Sequence, residues 1–350
     1  MTNERHVLDL LRGGWPFERG SAPDWNGIAR QASDEGLAGC VLTILEREGR
    51  LGEVGAAARA TLEAGLNAVR VEQTVLFHRF EALARCLRKA GVEFVVHKGG
   101  ALAHLVYPRP EDRPMVDIDI VFRPRLWKRV RSALQEGGYR LPGEAREAFW
   151  LENYFNLSVM SPEDPPSHFD LHWSLTQEGR YHIDVEELLS RAVPFRSGSM
   201  DLLRLDDEDL LLSLFLHLAY HYFEARLIWL YDMKLVIERW PIDWDRLLGR
   251  ARDWGLMTVV SLSFLFLERA FPGTVPSEAA GRARLGRIRR LAAGPLMASS
   301  PRHLFRGEER RINQFLIGLL AIDRPADSAR FALDKVGRRL RWTGRRPSRR

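Results

Sequence analysis

Cysteine is nearly absent: the 350 residues contain only Cys40 and Cys86 and no C-x-x-C pair, which excludes a disulfide framework and a cysteine zinc site. Each is expected to be a helix packing residue. No apolar run approaches 20 residues, since Leu210 to Leu218 and Val259 to Leu267 are short and flanked by charge, so no membrane-spanning helix is expected. The N-terminal MTNERHVLDLLRGG has no signal-peptide core, and with so few cysteines the expected location is a reducing cytoplasm. No internal repeat is present.

The body of the chain also lacks the excess positive charge that the total of +6 suggests. Eight Lys or Arg and no acid fall in 335–350, leaving the rest near −2. The basicity is therefore a tail, GRRLRWTGRRPSRR, expected to be solvated and disordered. Affinity for a long nucleic acid depends on many phosphate contacts, so RNA is possible as a partner but not favoured. Apolar residues at 45% and charged residues at 28% fit a folded chain with real cores.

Against these absences one run carries chemistry: HKGGALAHLVYPRPEDRPMVDIDIVF, His97 to Phe122. In VDIDIVF, period two puts Val116, Ile118 and Ile120 on one face and Asp117 and Asp119 on the other, roughly 7 Å apart along the strand. Paired carboxylates suit a hard divalent cation that also takes waters and phosphates. Two such ions about 4 Å apart can stabilise the attacking and leaving oxygens of a phosphoryl transfer. An edge strand with a solvated acidic face is the competing reading. Upstream, Gly91 to Val96 reads as a buried strand and a helix follows Gly99-Gly100. Amides at such a helix start favour phosphate, with Lys98 or Arg113 adding charge; an ordinary strand-to-helix turn is the alternative. Further on, SHFDLHW puts His168, Asp170 and His172 on one face. If this strand lies beside the DID strand, Asp170 becomes a third carboxylate, serving as general base or metal ligand.

Together the K-G-x-A-L helix start, R-x-x-x-D-I-D, Gly138-Tyr139 and the Asp170-Leu-His-Trp173 strand resemble the polymerase beta-like nucleotidyltransferase superfamily. More narrowly, over roughly residues 75 to 260, the chain is similar to the uncharacterised nucleotidyltransferase family, in which a Lys-Gly pair stands where the superfamily has Gly-Ser. The segment Leu205 to Leu256 extends the likeness with Asp206 to Asp209, His217, His221, Arg226 and Asp232. The resemblance implies that Asp117, Asp119 and Asp170 hold Mg²⁺ or Mn²⁺ and carry catalysis. It implies that Lys98, Gly99 and Gly100, with Arg113, meet the triphosphate. His172, His217, Arg226 and Asp232 are further candidates for the site. An NTP, ATP among the candidates, is the expected donor, and the acceptor is a small molecule or a peptide or protein hydroxyl, with pyrophosphate released.

Two other functions remain open. The Asp/His cluster could form a dimetal phosphoesterase centre, where Zn²⁺ or Mn²⁺ would suit nitrogen and oxygen ligands. The chain could instead be a catalytically inactive nucleotide-binding or partner-binding module. His217 and His221, at i and i+4, could share a metal, but Leu218 replaces the Glu that a zinc-protease helix carries. A buried, satisfied histidine pair is expected. Arg226 and Asp232 fall in the apolar stretch RLIWLYDMKLVI and must each be paired or bound.

The expected fold is α+β: a small mixed-sheet nucleotidyltransferase core over 91–204, between an N-terminal helical section, 1–90, and a C-terminal helical domain, 205–334. The tail is 335–350. Helices are expected at 7–11, 28–45 and 57–90, the last with Glu72, Gln73, His78 and Arg79 as possible cleft residues. Others are expected at 100–107, 124–136, 281–291, 310–322 and from Asp206 to about Arg269, broken at Pro241. Strands are expected at 91–96, 115–122, 155–160 and 168–173, with a hairpin tip at 194–199.

Overall fold

The computed structural model describes residues 2–15, 17, 23–287, 289, 291, 294 and 307–333. The basic tail lies outside them. Four helices come first: α1 (Thr2–Leu11), α2 (Trp25–Asp34), α3 (Ala38–Arg47) and the long α4 (Ala56–Lys89). The helix expected over 28–45 is two. Gly36 adopts φ +72, and the Leu37 amide reaches back to the Ala32 carbonyl at 2.7 Å, a left-handed glycine stop that periodicity alone does not reveal.

The central section is β1 (Phe94–His97), α5 (Gly99–Leu105), β2 (Asp117–Phe122), α6 (Trp127–Glu136), α7 (Glu144–Asn153), β3 (Asn156–Met160), β4 (His168–His172), α8 (Val185–Ser190), β5 (Val193–Ser197) and β6 (Met200–Arg204). Pro124 opens a short 3₁₀ turn ahead of α6, and α7 was not expected. The segment read as a hairpin tip is mostly strand, with its turn at Gly198, φ +59. The six strands form one mixed sheet in the order β3-β4-β2-β1-β6-β5, an α+β fold. β2 runs antiparallel to β1 and parallel to β4, with Asp119 opposite both His97 and Asp170.

Alternation gives this sheet one apolar and one polar face. Ile118, Ile120, Phe122, Phe169 and Leu171 are fully buried. Phe80 of α4 meets Phe94 and Phe169, and Phe122 stacks on Trp127 of α6. A Cβ on Gly100 would lie 2.9 Å from Val96 Cγ1 and 3.0 Å from Ile118 Cγ2, so α5 can sit on this face only because the residue is glycine.

The C-terminal helices are α9 (Asp207–Tyr220), α10 (Leu227–Arg239), α11 (Trp244–Trp254), α12 (Met257–Ala270), α13 (Ser277–Arg282) and α14 (Gly307–Leu320), and residues 325–333 are also helical. The stretch expected to break only at Pro241 breaks three times. Tyr222 and Phe223 take φ 55 and 60, and Gly255 closes α11 at φ 74. Asp206 caps α9 by accepting from the Asp209 amide, and Asp243 caps α11 by accepting from the Arg246 amide. Where one helix was expected at 281–291, α13 ends at Arg282, 283–286 interrupt, and the described residues 287, 289 and 291 are helical again. No described helix is long and apolar enough to cross a membrane.

A buried ion pair ties α10 to the central section. Arg113 donates to Asp232 through Nη2 at 2.8 Å and Nε at 3.3 Å, and the Tyr107 hydroxyl donates to Asp232 at 2.6 Å. Both free thiols act as packing groups: Cys40 Sγ meets the Asp112 carbonyl and Cys86 Sγ the Ala133 carbonyl, each at 3.1 Å. Burial raises both thiol pKa values.

Candidate active site

The polar face of the sheet floors a cleft of about 840 Å³. Its walls come from the end of α2 and from α4, from α7, and from the end of α9 with the start of α10. The parallel register of β2 and β4 pairs Asp117 with His168 and Asp119 with Asp170. Strand alternation then turns Asp117, Asp119, Asp170 and His172 toward the cleft, which all four line.

Asp119 is the electrostatic centre. Its Oδ1 receives two contacts, from Lys98 Nζ at 2.7 Å and His172 Nε2 at 2.8 Å. Burial alone would raise its pKa, but the Lys98 ammonium and the His172 hydrogen bond hold it well below the usual carboxylate range. Asp117 has no such partner among the described residues. Burial, then the charges of Asp119 and Asp170, push it up to about 6. Asp170 is oriented by Asn156, whose Nδ2 donates to Oδ2 at 3.1 Å. Ligand atoms of Asp119, Asp170 and His172 all lie within 4.8 Å of one another. Two carboxylates and an imidazole at that spacing fit a divalent cation, and they are the one such group of three or more among the described residues.

Lys98 follows the end of β1 and is the N-cap residue of α5 at φ 47, ψ −128. That backbone region suits glycine and costs an L-residue on the order of 1–3 kcal/mol, offset here by the pairing of its ammonium with Asp119. Gly99 follows where a Cβ would meet Arg113 Nη1 at 2.3 Å. The guanidinium thus packs under the turn, between it and Asp232. Arg113 borders the cleft, yet Asp232 engages its charge, which differs from the free phosphate-facing side chain expected.

The remaining candidates separate. His172 joins the carboxylates. His217 lines the cleft, stacked edge-on against His221 and Trp229 at 4.6 Å each, and burial with nearby Lys98 lowers its pKa well below that of a free histidine. The pair is not sealed in a helix core as expected: α9 stops at Tyr220, His221 is its C-cap and both imidazoles reach the cleft. Arg226 is not inside a helix either; it is the exposed N-cap of α10, on the cleft rim. Asp232 does not reach the cleft and serves Arg113 instead. Of the four α4 residues expected at a cleft, Glu72 alone lines it, beside Val69; Gln73 is buried and donates to the Arg113 carbonyl.

Three cleft residues escaped the sequence reading. His97 faces Asp119 across β1 and β2 and is 2% exposed, and burial followed by Lys98 lowers its pKa well below the usual value. Continuing the alternation one residue past the strand expected at 91–96 would have placed it. Asn156 shares the face of Ser158 in β3, a signal equally present in NLSVM. Trp229 is brought in only by the break after α9.

A mixed sheet thus turns neighbouring strand carboxylates and an imidazole into one cleft, an arrangement compatible with a divalent cation. The family model described as an uncharacterised nucleotidyltransferase matches residues 21–272, and the chain belongs to that family. No curated protein matches it.

Proposed function

We propose that the chain is a divalent-metal-dependent nucleotidyltransferase that moves an NMP from an NTP to an acceptor hydroxyl. The family match supports the reaction class. The observation that carries the site is the β2–β4 register, which sets Asp170 beside Asp119 with His172 in reach. Asp117, Asp119 and Asp170, with His172, are the proposed holders of Mg²⁺ or Mn²⁺. Such a cation, when bound, neutralises phosphate charge and polarises the α-phosphoryl group.

The protein's own groups do the positioning. Lys98 and the amides of Gly99 and Gly100, the latter without helical acceptors at the start of α5, face the triphosphate, with Arg113 behind them adding positive potential. Asp170, which Asn156 holds, is the proposed base that takes the proton of the acceptor hydroxyl as its oxygen bonds to the α-phosphorus. The α–β phosphoanhydride bond breaks and pyrophosphate leaves. Rate enhancement then comes mainly from orientation and charge stabilisation. Arg226 and His217, on the opposite wall, are proposed to contact the acceptor or the nucleotide's outer parts.

Incubation of each NTP with Mg²⁺ or Mn²⁺ and pooled hydroxylated acceptors, followed by pyrophosphate release, tests this. Wild type should release pyrophosphate and Asp170→Asn should be slowed at least ~10²-fold; an equal rate in the variant refutes the assignment. The imidazole among the candidate ligands favours a second reading, a phosphoesterase, whose signature is phosphate or nucleoside monophosphate released without acceptor.

A further inference from the structure

We propose that the Lys98 ammonium is the exchangeable counter-ion of Asp119, occupying the metal's side of that carboxylate until metal and nucleotide arrive together. The proposal rests on the metal-site reading above. Lys98 Nζ and His172 Nε2 converge on the same oxygen, Asp119 Oδ1, at 2.7 and 2.8 Å. A cation bound at that oxygen would lie against the ammonium, and two like charges sharing one carboxylate oxygen repel strongly in a partly buried site. One of them must leave.

Lys98 is built to do so. Its side chain keeps 17% exposure and lines the cleft, so its four-carbon stem has open space to turn into. Among the described residues Asp119 is its one ion-pair partner. The imidazoles of His97, His217 and His221, which surround it, lack an anionic form to hold it back. The triphosphate proposed to occupy the cleft supplies the next anion. Metal entry at Asp119 frees Lys98, and phosphate captures it, so each ligand strengthens the other's binding. The backbone adds an independent point: at φ 47 the position suits glycine, so Lys98→Gly removes the charge and relieves the turn at once.

The test is Mn²⁺ binding without nucleotide, read from the free-Mn²⁺ electron paramagnetic resonance signal, for wild type, Lys98→Met, Lys98→Gly and Asp119→Asn, each verified as folded by circular dichroism. Loss of the competing ammonium should tighten Mn²⁺ in both Lys98 variants, by about 5- to 150-fold if the coupling is of ordinary allosteric size. An α,β-methylene NTP analogue should then tighten Mn²⁺ further in wild type than in either variant. If both variants bind Mn²⁺ no better than wild type while Asp119→Asn abolishes binding, Lys98 is a fixed partner and the exchange is wrong. If Asp119→Asn binds Mn²⁺ like wild type, the metal-site reading itself fails and the exchange falls with it.

Discussion

Replacing Asp232 by Asn strands a guanidinium inside the protein. Asp232 is 1% and Arg113 9% exposed, and the carboxylate takes two bonds from Arg113 and one from the Tyr107 hydroxyl. Removing one member of a buried pair leaves an uncompensated charge, which costs about 3–5 kcal/mol. Tyr107→Phe removes one hydrogen bond to a charged acceptor, worth about 1.5–3 kcal/mol. The double variant Arg113→Met with Asp232→Leu removes both charges and should lose much less than the sum of its singles, because neither desolvated ion remains. Urea unfolding followed by tryptophan fluorescence reads wild type, these variants and the Arg113→Met and Asp232→Leu singles, six proteins in all, with slopes compared to ensure like transitions. An Asp232→Asn loss below about 1 kcal/mol, or strict additivity in the double variant, would refute this account of how α10 is fixed to the core. Because Arg113 packs under Gly99, the same substitution should also weaken nucleotide binding.

Asp117 gives a pH signature. Its carboxyl is pushed up to about 6 by burial and then by its acidic neighbours, so its ionised form destabilises the metal-free fold above that pH, and the cost disappears below the ordinary carboxylate value near 4. Asp117→Asn in EDTA should therefore melt above wild type at pH 7.5, with the advantage shrinking as pH falls through 6; a constant difference across that range contradicts the assignment. Gly100→Ala should cost about 1–3 kcal/mol in urea unfolding, because the added methyl meets Val96 and Ile118 at van der Waals overlap, and an unchanged midpoint would show that α5 does not press on the sheet.

The grouping of side chains in the candidate site was legible because strands write it with period two. DIDIVF and HFDLH each announce which residues share a face, and only the pairing of the two strands had to be supplied by the fold. Lys98 was visible as the charge before a glycine pair, although not its grip on Asp119. Where backbone conformation rather than periodicity decides, the sequence was silent: the stops at Gly36 and at Tyr222-Phe223 split helices that the apolar pattern ran together. The partner of Asp232 was hidden for another reason. Arg113 lies 119 residues away, and no local pattern joins an acid on one helix to an arginine in a distant loop.

Asp119 and Asp170 are proposed to bring metal and NTP into one cleft. Calorimetric titration of each NTP in Mg²⁺ or Mn²⁺ into wild type and a folded Asp119→Asn, Asp170→Asn double variant tests it most directly. Metal-dependent binding that the double variant loses is the expected result. Equal binding by both proteins, or binding by wild type that EDTA leaves unchanged, would contradict it.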